Sequence, residues 1–297
     1  KMTLETTFFG ETGMEVTRLG YGAMELRQIN DIDAEKILNS VLDSGINFID
    51  TSIDYGESEN LIGKYISNRR SEYFLASKCG CPVGTIKEHI FTRDNIIGGI
   101  NQSLKRMKTD YLDLVQLHAS PSKELIERDD VIDTLLEMKK VGKVRFIGAS
   151  STLPSLEDLV AMNIFDAFQI PYSALNRQHE EWITNSSISG SGTIIRGGVS
   201  KGTSVGDDNQ IDLSAEWKKF WQANLQDLME ENESPTAFVL RFTLSHPNLD
   251  TTIVGTKNSE HLKENVSASN KGKLSQEIYD ESKKRLAKIG IKPSSTI

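Results

Sequence analysis

The chain has 297 residues, 37% of them hydrophobic, and a formal net charge of −8 at pH 7. That length buries a sizeable core without covalent staples, and the lack of a basic block argues against a nucleic-acid partner, whose phosphates call for clustered positive charge. No stretch approaches the roughly 20 apolar residues of a membrane helix, and residues 1 to 20 show no long apolar core of a secretory signal.

Residues 7 to 20 carry Phe8, Phe9, a turn through Glu11-Thr-Gly-Met14, and Val16, the pattern of a β-hairpin. After Leu19-Gly-Tyr-Gly22 one unit recurs: apolar strand, loop, amphipathic helix. Ala34, Ile37, Leu38, Val41 and Leu42 make one apolar helical face, stopped by Gly45. Strands are predicted at Ile46 to Asp50, Tyr73 to Lys78, Tyr111 to His118, and Val144 to Ser150. Helices carrying Leu61 and Ile62, Ile96 and Ile100, and Leu135 and Leu136 fall between them. Pro154 suits the first turn of the next helix. Further strands are predicted at Ala167 to Ile170, Thr193 to Arg196 and Thr251 to Val254. Helices are expected around Gln178 to Asn185, Trp217 to Met229, Ser234 to Ser245, Ser259 to Ser267 and Gln276 to Lys288. Eight alternating units predict an α/β fold closed as a TIM (β/α)8 barrel, with an N-terminal β-hairpin and extra helices near the C-terminus. No Pro- or Ser-rich linker divides residues 1–297, so a single domain is expected. The stretch from Ser200 to Asp212 is too polar and Gly-rich to predict an element, and it follows the seventh strand, on the face where barrels keep ligands.

Alternation along strands then sorts side chains. Phe48 and Asp50 share a face, as do Phe74, Ala76 and Lys78, and Leu114, Gln116 and His118. If these faces point inward, Asp50, Lys78 and His118 meet at the C-terminal mouth, with Tyr55 in the loop above. A buried Asp50 needs a cation, and Lys78 supplies it. Any one of these residues alone reads more readily as structural: a snorkelling lysine, a packed histidine, a capping aspartate. Four converging on the catalytic face of a barrel form a stronger signal. A lysine beside a tyrosine lowers the phenol pKa from its usual value of about 10 toward a useful range for a proton donor. No nucleophile elbow, Walker sequence, metalloprotease motif or GxGxxG occurs. An acid without nucleophile or metal suggests carbonyl reduction by hydride from a nicotinamide cofactor.

Phe48-Ile-Asp-Thr-Ser-Ile-Asp-Tyr-Gly with Glu59, Leu75-Ala-Ser-Lys78 and Leu114-Val-Gln-Leu-His118 resemble the three tetrad motifs of the aldo-keto reductase superfamily. The resemblance implies NADP(H) bound on a TIM barrel, Tyr55 as acid, Lys78 and Asp50 as its tuning pair, and His118 orienting substrate. Ile147-Gly-Ala-Ser150-Ser151 and Phe168-Gln169-Ile-Pro-Tyr172 resemble segments that hold the nicotinamide carboxamide, although Ser151 stands where the family usually has Asn. Ile253-Val-Gly255-Thr256-Lys257 through His261 to Asn265 resembles the segment gripping the adenosine phosphate. Gly22 and Asp50 are further expected cofactor neighbours.

Two departures stand out. Ile194-Ile-Arg196-Gly197-Gly198 replaces the usual run with a stacking aromatic, so Arg196 is expected to stack its guanidinium or meet a phosphate. His261 stands where the family's 2′-phosphate arginine is usual, leaving Lys257 and Thr256 to supply charge and donors. NADP(H) is therefore favoured with NAD(H) open, since only a charged imidazole attracts that phosphate. The expected partner is a small-molecule carbonyl: aldehyde, ketone or sugar. Alternatives are a cofactor-binding regulatory or redox-sensing subunit with little turnover, and an NAD-linked sugar or alcohol dehydrogenase. The two cysteines, Cys79 and Cys81, are too close for an ordinary disulfide, which points to reducing cytoplasm. They read as small buried side chains rather than a redox pair. His89, His179 and His246 read as structural, the tryptophans 182, 217 and 221 as packing. Tyr21, Met24, Ile53 and Trp182 are candidates for lining the substrate site. The Ser200–Asp212 stretch is expected to fold over the cofactor diphosphate.

Overall fold

In the computed structural model, residues 3–84, 87–200, 204–205, 211–212 and 215–294 are described. The chain opens with an antiparallel hairpin, β1 (Thr6–Phe8) and β2 (Glu15–Thr17), paired Thr6 to Thr17 and Phe8 to Glu15. Eight parallel strands then close a barrel. They are β3 (Leu19–Gly22), β4 (Phe48–Asp50), β5 (Phe74–Cys79), β6 (Leu112–Leu117), β7 (Val144–Ser150), β8 (Ala167–Pro171) and β9 (Gly192–Arg196). The eighth, β12 (Thr251–Val254), pairs with both β9 and β3 and completes the ring. The expected TIM barrel with its N-terminal hairpin is the observed fold.

Helices cover the outside: α1 (Asp31–Asp43), α2 (Ser58–Tyr65), α3 (Arg93–Met107), α4 (Lys123–Arg128), α5 (Val131–Lys140), α6 (Ser155–Ala161) and α7 (Glu180–Ile188). The C-terminal part adds α8 (Ala215–Gln222), α9 (Pro235–Leu244), α10 (Ser259–Lys271) and α11 (Gln276–Lys288). Ser234 caps α9 by accepting from the Ala237 amide, with Pro235 in the first turn. The expected helix from Trp217 to Met229 is broken, because Asn224 takes a left-handed backbone and a 3-10 turn follows over Leu225–Leu228. Helix α10 runs four residues past its predicted end at Ser267.

Within the stretch 200–212, Ser204–Val205 (β10) pairs antiparallel with Ile211–Asp212 (β11). An element was not expected there. Two residues on each side suffice for a minimal ladder, and so short a pair gives no apolar alternation to read. Residues 201–203 and 206–210, most of the stretch from Ser200 to Asp212 that is expected to fold over the diphosphate, lie outside the described residues.

Strand alternation splits the core into two. Outward-facing residues such as Tyr21, Ile49, Leu75, Val115, Ile147, Phe168 and Ile195 pack beneath the helices. Inward-facing Phe48, Ala76, Leu114, Ala167, Ile194 and Ile253 fill the barrel, and Phe9, Met14 and Val16 of the hairpin segment join them as a plug. Each of the larger of these side chains contributes about 1.5–3 kcal/mol on burial. Two residues further along several strands the interior turns polar: Asp50, Lys78, Gln116 and Gln169 are all buried. The apolar lower barrel thus positions a polar floor at its mouth.

The crossing of α2 and α3 has no room to spare. A Cβ on Gly63 would sit 2.0 Å from the Arg106 carbonyl oxygen and 2.8 Å from Met107 Cα. Gly63→Ala is expected to push the helices apart and lower the melting temperature by about 3–8 °C. Gly98, in the middle of α3, has only Val83 Cγ1 at 4.0 Å. Gly98→Ala is expected to raise stability by about 0.5–1 kcal/mol through helix propensity. Thermal melts of the two variants side by side check both signs.

Candidate active site

Asp50 ends β4 and Lys78 stands one residue before the end of β5, so the strand register brings them together inside the mouth. Lys78 Nζ donates to Asp50 Oδ2 at 2.6 Å and to the Thr51 carbonyl at 2.8 Å. The two side chains are 1% and 2% exposed, which makes the pair a fully buried one. Its cost in desolvation is several kcal/mol per ion and is offset only when the remaining lone pairs are satisfied. Two glutamines do this. Gln116 Nε2 donates to Asp50 Oδ1 at 2.7 Å, and Gln169 Nε2 donates to the same oxygen at 3.0 Å and to Gln116 Oε1 at 2.9 Å.

Tyr55 is carried by the turn after β4. Its amide donates to the Ser52 carbonyl, and Gly56 follows with φ of 54°, in close contact with Arg27, a place a side chain would strain. The turn is fastened from below. Ser58 Oγ meets Thr51 Oγ1 at 2.8 Å and donates to the Ala23 carbonyl at 3.0 Å. Glu59, fully buried, accepts from Ser77 and Ser103 at 2.8 and 2.7 Å, with Arg106 at 3.4 Å. Lys78 Nζ lies 4.9 Å from the Tyr55 ring centroid. The His118 ring stands edge-on to Tyr55, with centroids 6.2 Å apart at 82°. The three residues singled out by strand alternation, and Tyr55 in the loop above them, therefore converge.

Electrostatics sort their protonation. Burial pulls the Lys78 ammonium toward neutrality, but the Asp50 carboxylate and the Tyr55 phenol outweigh it, and the net direction is upward. Burial is also the largest influence on Tyr55 and pushes its phenol up; Lys78 opposes this without reversing it. The lowering expected from Lys78 is real in sign and loses to desolvation. Tyr55 is thus held in its protonated form. His118 is pushed down to about 4, first by burial and then by Lys78, so its imidazole is neutral near pH 7. Burial raises the neighbouring Cys81 thiol to about 12. Cys81 Sγ lies 3.2 Å from His118 Nδ1; a thiol that donates there leaves the ring proton on Nε2.

The other expected residues distribute around the same mouth. Gly22, Ser150 and Arg196 end β3, β7 and β9; Ser151, Gly197, Gly198, Gly255 and Thr256 follow strand ends directly. Gln169 sits lower, hydrogen-bonded into the floor. Gly198 also packs tightly: a Cβ there would lie 2.4 Å from Thr252 Oγ1. Arg196 is exposed at the end of its strand, yet surrounding protein atoms lower its pKa, with Tyr55 and Asp50 as its electrostatic neighbours. Among the described residues no carboxylate pairs with it. Lys257 is exposed, its Nζ 3.3 Å from the Gln28 carbonyl. It lines a shallow groove with Lys36, Asn258 and Ser259 at the start of α10, where Asp33 and Glu260 add opposing charge. His261 is exposed and Asn265 buried one turn further along.

Some expectations need correction. Tyr21 faces the outer core and donates to the Thr256 carbonyl at 2.8 Å, so it does not line the mouth. Trp182 packs on that outer core as well. Ile53 is buried and points at Gly99 of α3. His89 is not a packed structural residue: its ring stacks edge-on to His118 at 5.1 Å, and its Nε2 lies 3.2 Å from Asp54 Oδ2. Sequence reasoning missed it because it comes from an irregular loop, where no periodicity assigns a direction. The partnership of Gln116 and Gln169 with Asp50 was likewise unseen, although alternation had already placed Gln116 on the face of His118.

Comparison with known proteins gives the family. The holo form of aldo-keto reductase AKR11C1 from Bacillus halodurans superposes with a TM-score of 0.84 at 26% identity, over 95% of this chain and 96% of that one. The uncharacterized oxidoreductase YqkF of Bacillus subtilis is 29% identical over 286 residues, 90% of this chain and 92% of its own length. L-galactose dehydrogenase of Arabidopsis thaliana is 27% identical over 89% of this chain and 88% of its own. Residues 18–286 match the model of the Aldo/keto reductase family; the chain belongs to that family of oxidoreductases.

Proposed function

We propose that the chain is a cytoplasmic NADPH-dependent reductase of small carbonyl compounds, working as one barrel unit with Tyr55 as proton donor. The observation that carries this reading is the pairing of a protonated Tyr55 with a neutral His118 above a charged, buried Lys78–Asp50 pair. The residues around the mouth fit a dinucleotide. Arg196 offers a guanidinium without a carboxylate partner among the described residues, and Gly197, with φ of 71° and nothing within 4 Å, leaves its backbone open to close approach. Lys257, Thr256, His261 and Asn265 would hold the adenosine end, with Gly22, Ser150, Ser151, Gln169 and Gly255 nearer the nicotinamide. When bound, the reduced nicotinamide supplies the hydride.

The side chains then have separate tasks. His118 Nε2–H orients the substrate oxygen toward Tyr55. Tyr55 gives its phenolic proton to that oxygen as negative charge develops there. Lys78 stabilises the phenolate left behind, and Asp50 keeps Lys78 charged and fixed. A second reading runs the same site oxidatively on a sugar hydroxyl with NAD. The alignment with L-galactose dehydrogenase favours it, and comparing rates in both directions with both nucleotides separates the two.

Tyr55→Phe is expected to lower kcat for carbonyl reduction by about 10²–10⁴-fold with nucleotide affinity retained; stopped-flow oxidation of NADPH and fluorescence titration check this. Equal turnover in both proteins would remove Tyr55 from the acid role. The reducing form needs Tyr55 protonated and His118 neutral. Because the phenol is shifted up and the imidazole down to about 4, kcat/KM is expected to stay flat from about pH 6 to about pH 9. The double variant Lys257→Ala, His261→Ala is expected to weaken NADPH about tenfold or more while NADH changes little, because only the former carries the 2′-phosphate.

A further inference from the structure

Beside the proposed reductase site lies a second cluster with its own chemistry. Asp54 directly precedes Tyr55, Cys81 follows the end of β5, His89 comes from the β5–α3 loop, and His118 follows β6. His89 Nε2 is 3.2 Å from Asp54 Oδ2, which is 3.5 Å from His118 Nδ1, which is 3.2 Å from Cys81 Sγ. One atom from each of the four residues lies within 4.8 Å of all the others. A tetrahedral zinc ion, with bonds of about 2.3 Å to sulfur and about 2.0–2.1 Å to nitrogen and oxygen, sets its ligand atoms about 3.2–3.7 Å apart. Three of the six separations fall in that range, and the other three lie within 4.8 Å, close enough for small side-chain adjustments to complete a tetrahedron.

We propose that Asp54, Cys81, His89 and His118 form a binding site for one zinc-type divalent cation. The donor set of sulfur, two imidazole nitrogens and one carboxylate oxygen suits zinc and its neighbours rather than magnesium or calcium, which take oxygen. Carboxylate and thiolate together neutralise the two positive charges. On binding, the Cys81 S–H bond breaks, the S–metal bond forms and the proton leaves to solvent, with no change of oxidation state.

Outer contacts already aim these groups. Ser52 Oγ donates to Asp54 Oδ1 and leaves Oδ2 facing the cluster. Asn95 Nδ2 donates to the Cys81 carbonyl at 3.0 Å and the Ile90 carbonyl at 2.8 Å, tying the strand end to the loop that carries His89. Such hydrogen bonds orient metal ligands in protein sites generally. Lys78 disfavours a second positive charge at His118 while it favours the Asp54 carboxylate, and its pairing with Asp50 limits its repulsion of a bound cation. Occupation would hold His118 through Nδ1 and place its ring proton on Nε2, so the site shares this imidazole with the proposed reductase chemistry but is read out independently of it.

The test uses cobalt as a spectroscopic probe on full-length protein treated with a chelator and then freed of it. One equivalent of Co²⁺ is expected to give a thiolate-to-cobalt charge-transfer band and the intense visible bands of tetrahedral cobalt, both removed by Zn²⁺. Cys81→Ser should lose the charge-transfer band while Cys79→Ala keeps it. His89→Ala should weaken Co²⁺ about tenfold or more through the loss of one of four ligands. Circular dichroism reports whether each variant folds, and Asp54→Asn, at an exposed position, replaces any that does not. Absence of the band at saturating Co²⁺, its survival in Cys81→Ser, or unchanged affinity in both His89→Ala and Asp54→Asn would overturn the proposal. None of these readouts requires turnover.

Discussion

A buried ion pair sets the terms for the whole mouth of this barrel. Lys78 and Asp50 are both enclosed, and a lone charge in that position would cost more than most single interactions in the protein return. The pair is tolerable because each partner is saturated: the ammonium by Asp50, Thr51 and the phenol, the carboxylate by Lys78, Gln116 and Gln169. That saturation requires four strands to hold register within a fraction of an ångström. The apolar lower barrel and its hairpin plug supply the rigidity. Chemistry at the mouth is therefore inseparable from packing beneath it.

Much of this was legible in the sequence. Period-two alternation along β4, β5 and β6 told which residues faced inward, and the sheet register then placed Asp50 beside Ala76 and Lys78 beside Gln116. Strand ends shifted by a residue or two, without changing faces. The fold class followed from the count of strand–helix units, since parallel strands need crossovers and eight of them can close.

What stayed illegible has a common physical origin. Alternation gives direction but not reach, so it identified Gln116 as inward without revealing that its amide meets Asp50. Loop residues have no periodicity at all, and His89 and Cys81 accordingly read as bland. The balance between burial and Lys78 at Tyr55 was also invisible, because desolvation depends on the whole enclosure and not on one neighbour. Tyr21 was misplaced although parity was available: its position in the strand sends it outward.

The segment from Asp50 to Glu59 looks like a loop that could be exchanged between related barrels, and its fastening says otherwise. Ser58 is locked to Thr51 and Ala23, and Glu59 to Ser77, Ser103 and Arg106. A graft cut anywhere within it would import one end of a hydrogen-bond set and leave the other behind, stranding buried donors or a carboxylate. In modular terms the smallest portable unit is not the loop but the loop together with β5 and the C-terminal half of α3. Engineers wishing to retune this site by recombination would have to place their crossovers outside that block.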